Sequence, residues 1–260
     1  MRGMTLNIGV AAFGLAIIGV SIVGTPAATA AELATSSQVN DSLRANFLKE
    51  SASADARRLA DWIIDSHDND SLPFAIVDKT GARVFVFGAE GMLRGAAAAL
   101  LGVAVGDDSV PGIGDRPLAA IRPQERTTPA GRFVAALGED LETDILWIDY
   151  DAAISMHRVI TTSPKERRLQ RLATPTPLDN RISYGCINVP AKFYDSIVHP
   201  AFLGTGIVYV LPETRSLGKE FPAYYDVMNQ LSGGSAPEVP RIESARSSTS
   251  DSGAIIPSTE

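Results

Sequence analysis

The single cysteine of this sequence, Cys186, is the residue best suited to nucleophilic chemistry. It directly follows Gly185 and precedes a predicted helix, so it lies on a turn. Glycine lets the backbone turn tightly and lets a substrate carbonyl come close. Backbone N–H groups around such a turn can hold a developing oxyanion. Most lone cysteines are small buried hydrophobic residues. Two interpretations therefore stand, a reactive thiol or an inert turn residue.

A thiol nucleophile needs a base, and the chain has three histidines. An imidazole with a pKa of about 6.5 can pair as imidazolium with the thiolate of a cysteine whose free pKa is about 8.5. His67 lies in a polar loop and His199 follows a predicted helix, so exposure and helix capping account for them. His157 instead interrupts an apolar strand, where a half-buried histidine without a catalytic role is the alternative. Because it accompanies an unpaired cysteine, we predict His157 as the base of Cys186.

Three segments resemble the catalytic domain of the L,D-transpeptidase (YkuD-like) family. That family has a histidine on a strand, followed by Ser/Thr-His-Gly-Cys-hydrophobic-Asn/Arg. Residues 183–188, Ser-Tyr-Gly-Cys-Ile-Asn, match this signature after His157. Residues 128–133 resemble the family's Thr-Pro-x-Gly-x-Phe segment, and the hairpin over residues 75–87 resembles its opening strands. The similarity spans residues 72–211 and implies a mainly β fold, a YkuD-like β-sandwich or barrel with peripheral helices.

The sequence departs from the family pattern around the same site. Tyr184 stands where the family has histidine, and Arg158 follows His157 where glycine or serine is commoner. The 25 residues between His157 and Ser183 make a longer insertion than usual. Tyrosine can donate a hydrogen bond, but it does not titrate near neutral pH. We therefore expect Tyr184 to line the substrate cleft rather than to move protons.

The resemblance implies a two-step acyl transfer on peptidoglycan stem peptides. Cys186 would attack the carbonyl of the L-to-D bond in a tetrapeptide stem and release the terminal D-alanine. The side-chain amine of a neighbouring stem would then take the acyl group from the thioester. His157 would accept and return protons, while Ser183, or a backbone carbonyl near it, would orient the imidazole.

Further contacts with the substrate or the oxyanion are expected from four residues: Tyr184, Gly185, Asn188 and Arg158. Within this set, the backbone amides of Tyr184 and Gly185, together with that of Cys186, are the predicted oxyanion hole. The sequence predicts no metal or cofactor, since three scattered histidines offer no ligand cluster. Carbapenems, which acylate the family's cysteine, are expected to add to Cys186. The sequence makes no prediction of oligomeric state.

Two alternatives share the predicted fold. With water as the acceptor in place of an amine, the same nucleophile and base would make an L,D-carboxypeptidase. A degenerate wall-binding domain without catalysis is the other alternative, motivated by Tyr184. Intact His157 and Cys186 favour an enzyme over that second alternative.

Composition and the N-terminal segment indicate the compartment and exclude one class of partner. The net charge of −7 and the pI near 5.1 argue against a nucleic-acid partner, because such proteins carry basic patches. Arg2, an apolar run over residues 8–23 and an Ala-Thr-Ala sequence ending at Ala30 are typical of a secretory signal peptide. The alternative is an uncleaved membrane anchor over residues 5–24. We therefore expect an exported protein of the periplasm or cell envelope, cleaved after Ala30.

The predicted organisation has four parts. They are a signal peptide (1–30), an N-terminal helical extension (31–71), a catalytic domain (72–215) and a C-terminal extension (216–260) that is disordered from about residue 232.

Periodicity predicts the elements of these parts. Helices are expected over residues 41–67, with Asn40 or Asp41 as the cap, and over residues 190–198. Strands are expected over residues 74–78, 83–87, 131–136, 144–150, 153–159 and 206–211. Residues 96–105 fit a strand or a short helix, residues 106–126 a long surface loop, and residues 163–180 a loop with a helical turn.

Overall fold

β-strands form most of the regular structure in the computed structural model, which describes residues 44–140 and 143–231. The strands are β1 (Phe74–Asp78), β2 (Arg83–Phe87), β3 (Leu93–Ala98), β4 (Leu101–Gly102), β5 (Gly131–Asp140), β6 (Thr143–Asp149), β7 (Ile154–Arg158), β8 (Arg181–Ser183), β9 (Ile187–Val189) and β10 (Gly206–Val210). The prediction of a mainly β fold with peripheral helices is confirmed. The expected signal peptide and most of the C-terminal tail lie outside the described residues.

The helices are short and lie around the sheet. They are α1 (Ala54–Ser66), α2 (Arg168–Ala173), α3 (Ala191–Phe193, Tyr194–Val198 and His199–Ala201 in succession), α4 (Leu217–Glu220) and α5 (Val227–Leu231). The middle turn of α3 is π-helical. In the described part of the chain, none of the helices has the length and apolar character needed to cross a membrane.

Eight strands form one sheet that is almost closed on itself. Their order is β3-β2-β1-β10-β5-β6-β7-β9, with β1–β10 and β7–β9 parallel and the other pairs antiparallel. Leu100, just beyond the edge strand β3, exchanges two backbone hydrogen bonds of 2.8 and 2.9 Å with Asn188 of the other edge strand, β9. The two edges of the sheet therefore meet next to the segment that carries Cys186.

Alternation along β1, β2 and β10 sends their side chains into two different cores. One set of side chains packs inside the curved sheet with residues of β5, β6, β7, β9 and α3: Ala75, Val77, Val84, Val86, Val208 and Val210. The other set packs against α1: Phe74, Ile76, Phe85, Phe87, Ile207 and Tyr209. These three strands are apolar on both faces because each face is covered.

The first helix is shorter than predicted. We expected it over residues 41–67 with Asn40 or Asp41 as the cap, but α1 begins at Ala54, where the Ser53 hydroxyl accepts a 3.1 Å hydrogen bond from the Ala56 amide. The apolar spacing before Ser53 has another cause. Phe47 lies in an irregular segment and packs edge-on against Phe85 and Phe87, with ring centroids 5.3 and 5.0 Å apart.

The other predictions differ from the structure in smaller ways. Residues 96–105 resolve in favour of strand, since β3 and β4 occupy this region. The loop over residues 106–126 contains three 3-10 turns, and the segment 163–180 contains a 3-10 turn and α2. β8 and β9, on either side of Cys186, were not predicted, because strands of three residues are too short to show a period of two.

Candidate active site

Cys186 lies on a tight turn between β8 and β9, and the side chain of Ser183 holds that turn from inside. The Ser183 hydroxyl donates to the Cys186 carbonyl oxygen at 2.6 Å and accepts from the Gly185 amide at 3.1 Å. Gly185 has φ of +136°, and a Cβ atom there would lie 2.6 Å from the Thr127 carbonyl oxygen. Only glycine fits this position, because of both the backbone conformation and the space.

Two side chains from outside the turn hold its backbone carbonyls. The Thr128 hydroxyl donates to the Gly185 carbonyl oxygen at 2.7 Å and accepts from the Gly102 amide at 2.9 Å. The Asn188 amide nitrogen donates to the Cys186 carbonyl oxygen at 3.2 Å, and its oxygen accepts from Arg168 of α2 at 2.7 Å. The turn that carries the thiol is therefore fixed by at least three separate segments of the chain.

The half-buried thiol faces β7. Its sulfur lies 3.6 Å from the Ser155 hydroxyl and 3.6 Å from the Ala153 carbonyl oxygen. Strand β7 pairs in parallel with β9, with His157 opposite Asn188. Ser155 and His157 are two residues apart on β7, so their side chains share one face of the strand. The structure thus places His157 on the same face of β7 as the hydroxyl that contacts the thiol.

His157 is buried, with only 6% of its surface exposed, and its Nδ1 lies 2.7 Å from the Arg158 carbonyl oxygen. A carbonyl can only accept, so we assign the proton to Nδ1, which leaves Nε2 with a free lone pair. Burial lowers the pKa of His157 below its ordinary value; the nearby charge of Arg168 also lowers it, against the opposing bond to Arg158. A neutral imidazole with a free Nε2 can accept a thiol proton. Burial of His157 thus works against the imidazolium form that the ion pair expected from the sequence would need.

Ser183 and Arg158 act differently from the predictions. Ser183 stabilises the cysteine turn, whereas the carbonyl group of Arg158 orients His157. The Arg158 side chain leaves β7 on the face opposite His157 and forms salt bridges to Asp144 at 3.0 Å and Asp195 at 2.7 Å. We therefore no longer assign the Arg158 guanidinium to the substrate. The orienting role expected of Ser183, or of a carbonyl near it, falls to the Arg158 carbonyl.

Two of the groups expected to contact the substrate are already hydrogen-bonded within the protein. The Gly185 amide donates to Ser183, so it is not available to an oxyanion in this geometry. Asn188 is buried, and both ends of its side-chain amide bond to protein groups, Cys186 and Arg168. The amides of Tyr184 and Cys186 stay as the predicted oxyanion donors. The catalytic roles of Cys186 and His157 likewise stay predictions.

Tyr184 lines a narrow pocket beside the thiol. The guanidinium carbon of Arg126 lies 3.7 Å from the centre of the Tyr184 ring, a cation–π contact. The pocket that Tyr184 and Cys186 share is otherwise lined mainly by the segment before Thr128 and by residues leading into β7: Ile113, Arg116, Leu118, Ile121, Ala152 and Ile154. The segment predicted as a surface loop therefore forms one wall of the site.

Sequence reasoning missed two residues that contact the cysteine turn. Ser155 lies two positions before His157, and strand alternation from His157 could have identified it. Thr128 belongs to the Thr-Pro-x-Gly-x-Phe segment, but nothing in the sequence alone shows that its hydroxyl reaches Gly185. Of the remaining histidines, His67 is exposed in a left-handed conformation after α1, and the His199 imidazole lies 3.8 Å from Asp144.

Comparison with known proteins gives similarities in structure only. No protein-family model and no curated protein matches the chain. The helical cell shape determining protein Pgp2 from Campylobacter jejuni matches with 14% identity and a TM-score of 0.36, over 55% of this chain and 49% of that chain. The L,D-transpeptidase catalytic domain from E. faecium matches with 17% identity and a TM-score of 0.34, over 54% and 96%. The L,D-transpeptidase from Mycobacterium smegmatis matches with 13% identity and a TM-score of 0.31, over 54% and 58%. This chain spans about half the length of the Campylobacter protein.

Proposed function

We propose that this protein is a cysteine acyltransferase that cross-links peptidoglycan stems by L,D-transpeptidation. The observation that carries the proposal is the orientation of His157. Its Nδ1 lies against the Arg158 carbonyl oxygen, which assigns the acceptor lone pair to Nε2, and it shares a face of β7 with Ser155, whose hydroxyl lies 3.6 Å from the Cys186 sulfur. The match of residues 183–188 to the family signature supplies the substrate class.

In the first step, Nε2 of His157 takes the proton of the Cys186 thiol, and the sulfur attacks the carbonyl carbon of the L-to-D peptide bond. The negative charge on the carbonyl oxygen is held by the amides of Cys186 and Tyr184. The imidazolium then returns its proton to the departing amine, so D-alanine leaves and a thioester forms. Burial of His157 keeps the imidazole neutral at rest, ready for the first proton.

In the second step, the side-chain amine of another stem attacks the thioester carbonyl. His157 takes the excess proton from the attacking nitrogen and gives it to the sulfur as the thioester bond breaks. The products are a new amide cross-link and the free Cys186 thiol. We place this reaction outside the cytoplasm, in the periplasm or cell envelope, after removal of residues 1–30, because the sequence of that segment is typical of a secretory signal.

The test is a reaction of the purified protein with disaccharide-tetrapeptide, followed by mass spectrometry. We expect a cross-linked dimer, free D-alanine and an acyl adduct on Cys186, while Cys186→Ala gives none of these. Release of D-alanine with a tripeptide but no dimer would identify water as the acceptor. A protein that neither forms the adduct nor releases D-alanine would contradict the proposal. A carbapenem should add covalently to the wild type and not to Cys186→Ala.

A further inference from the structure

The ammonium group of Lys79 is fully buried, although the proposed mechanism does not use it. Lys79 follows β1 at the turn of the first hairpin, and its side chain has no exposed surface. Its Nζ donates to the Gly106 carbonyl at 2.6 Å, to Asp107 Oδ1 at 2.8 Å and to the Thr128 carbonyl at 3.0 Å. All three ammonium protons are thus used, as a buried charge requires.

These three bonds connect the two ends of the segment that forms a wall of the pocket beside the thiol. Gly106 and Asp107 precede the segment and Thr128 follows it. Two further bonds connect these ends. The Thr127 hydroxyl donates to the Asp108 carbonyl at 2.6 Å, and the Ala130 amide donates to the Asp107 carbonyl at 2.9 Å. Lys79 therefore fixes the position of the Thr128 backbone.

Asp107 supplies a negative charge that faces the Lys79 ammonium group. Burial raises its pKa, but hydrogen bonds from Lys79, the Thr214 hydroxyl and the amides of Glu213 and Thr214 outweigh burial and hold the pKa well below its ordinary value. The carboxylate therefore stays ionised at moderate pH, 2.8 Å from the Lys79 Nζ.

Thr128, held in this way, in turn holds the backbone of the cysteine turn. Its hydroxyl donates to the Gly185 carbonyl, which belongs to the peptide bond between Gly185 and Cys186. A peptide unit is planar, and in its trans form the N–H points opposite to the C=O. The described backbone contains no cis peptide bond. Holding the Gly185 oxygen therefore sets the direction of the Cys186 N–H.

We propose that Thr128 and Lys79 are positioning residues that aim the Cys186 N–H at the oxyanion. The inference rests on the proposed function in one respect, that Cys186 is an acyl-transfer nucleophile. Both side chains are buried, so we assign neither of them a contact with the substrate. Thr128 acts through the Gly185–Cys186 peptide, and Lys79 acts through Thr128.

The test compares two reactions of the same thiol in Thr128→Val and Thr128→Ser. p-Nitrophenyl acetate acylates a thiol through a tetrahedral oxyanion, whereas iodoacetamide alkylates it without one. For Thr128→Val we expect the Cys186-dependent acylation rate to fall about tenfold or more. The alkylation rate should stay within about twofold of the wild type on the same principle, since an oxyanion hole contributes only where an oxyanion forms. Thr128→Ser keeps the hydroxyl and should retain both rates, and Cys186→Ala gives the background.

Lys79→Met should show the same pattern as Thr128→Val. It removes the closer of the two cations that the described residues place beside the buried Asp107 and leaves Arg215, at 3.4 Å. If Lys79→Met does not fold for this reason, the comparison of Thr128→Val with Thr128→Ser decides the test. The proposal would be overturned if Thr128→Val were acylated at the wild-type rate, or if it lost acylation and alkylation equally. It would also be overturned if the wild type were acylated no faster than Cys186→Ala. A protein that reacts with the ester but not with disaccharide-tetrapeptide would instead count against the peptidoglycan substrate alone.

Discussion

The imidazole of His157 is held by one hydrogen bond and surrounded by protein, so its protonation depends on burial. Burial lowers the pKa, which means that the neutral form persists to lower pH than for an exposed histidine. As the pH falls through this lowered pKa, the imidazole takes up a proton and can no longer accept one from Cys186.

The pH profile of acylation should therefore lose activity on its acid side with a midpoint below about 6.5, the ordinary histidine value. The measurement is the rate of Cys186 acylation by p-nitrophenyl acetate between pH 4 and pH 8. His157→Gln should be slow at every pH and lack this acid limb. A midpoint above the ordinary histidine value would show that His157 is not the buried neutral base described above.

Gly185 offers a second test at the level of one residue. Gly185→Ala places a Cβ atom 2.6 Å from both the Thr127 carbonyl oxygen and a methyl group of Ile154, at φ of +136°. Backbone strain of this kind costs about 1–3 kcal/mol, and the turn must shift to relieve the clash. We expect a lower free energy of unfolding and a loss of acylation. Gly218→Ala is the matched control, since in the described part of the chain no atom beyond its own helix lies within 4 Å of the methyl group that alanine would add. Equal behaviour of the two variants would count against a glycine-specific turn.

At the level of elements, the segment over residues 108–126 meets the cysteine turn through one aromatic contact. The Arg126 guanidinium stacks on Tyr184 at 3.7 Å, and two of its nitrogens also donate to the Ile121 carbonyl at 3.1 and 2.9 Å. Tyr184 therefore joins the pocket wall to the cysteine turn.

Variants of Tyr184 should separate this packing role from a catalytic one. Tyr184→Phe keeps the stack and should acylate like the wild type, and Tyr184→His is expected to be tolerated. Tyr184→Ala removes a contact of about 0.5–2 kcal/mol and should slow acylation less than His157→Ala does. Single-turnover acylation rates and melting curves of the four variants provide the comparison. If Tyr184→Ala lost as much acylation as His157→Ala at unchanged stability, tyrosine would be a primary catalytic group.

Elements with a clear period were predictable from the sequence, whereas those defined by distant contacts were not. β1 and β2 match the predicted strands residue for residue, because apolar runs on both sides of a glycine turn leave few other structures. The start of α1 was wrong because Phe47 fits helical spacing although it packs on β2. Here the nearby cap, Ser53, would have been the better guide.

The same division holds for the site. Cys186 and His157 stood out from the sequence because their residue types are rare in this chain and their surroundings unusual. Thr128 and Lys79 did not, because their role depends on bonds to backbone atoms far along the chain, 57 residues in the case of Thr128 and Gly185. Lys79 in a turn is normally exposed to solvent, and only the fold reveals that it is buried.

On the scale of the whole molecule, we expect the two hydrophobic cores to have different roles. The core inside the sheet includes residues of β7 and β9, the strands that carry the site. The core under α1 contains Trp62, which packs against Phe221 and Tyr224 with ring centroids 6.3 and 5.9 Å apart. The second core lies on the opposite face of β1, β2 and β10, so we expect it to determine stability without determining the geometry at Cys186.

Trp62→Ala tests this separation. Truncating a buried tryptophan costs about 3–5 kcal/mol, which for a protein of this size lowers the melting temperature by on the order of 10 °C. Trp62→Phe should cost much less, because it keeps an aromatic ring and removes a buried indole N–H that has no hydrogen-bond partner among the described residues. Urea unfolding gives the free energies, and acylation of Cys186 by p-nitrophenyl acetate, measured well below the transition, reports the geometry of the cysteine turn. We expect equal acylation rates in the wild type and both variants. A slower rate in folded Trp62→Ala would mean that the layer under α1 sets the geometry of the cysteine turn across the sheet, and the two cores would then have to be treated as one.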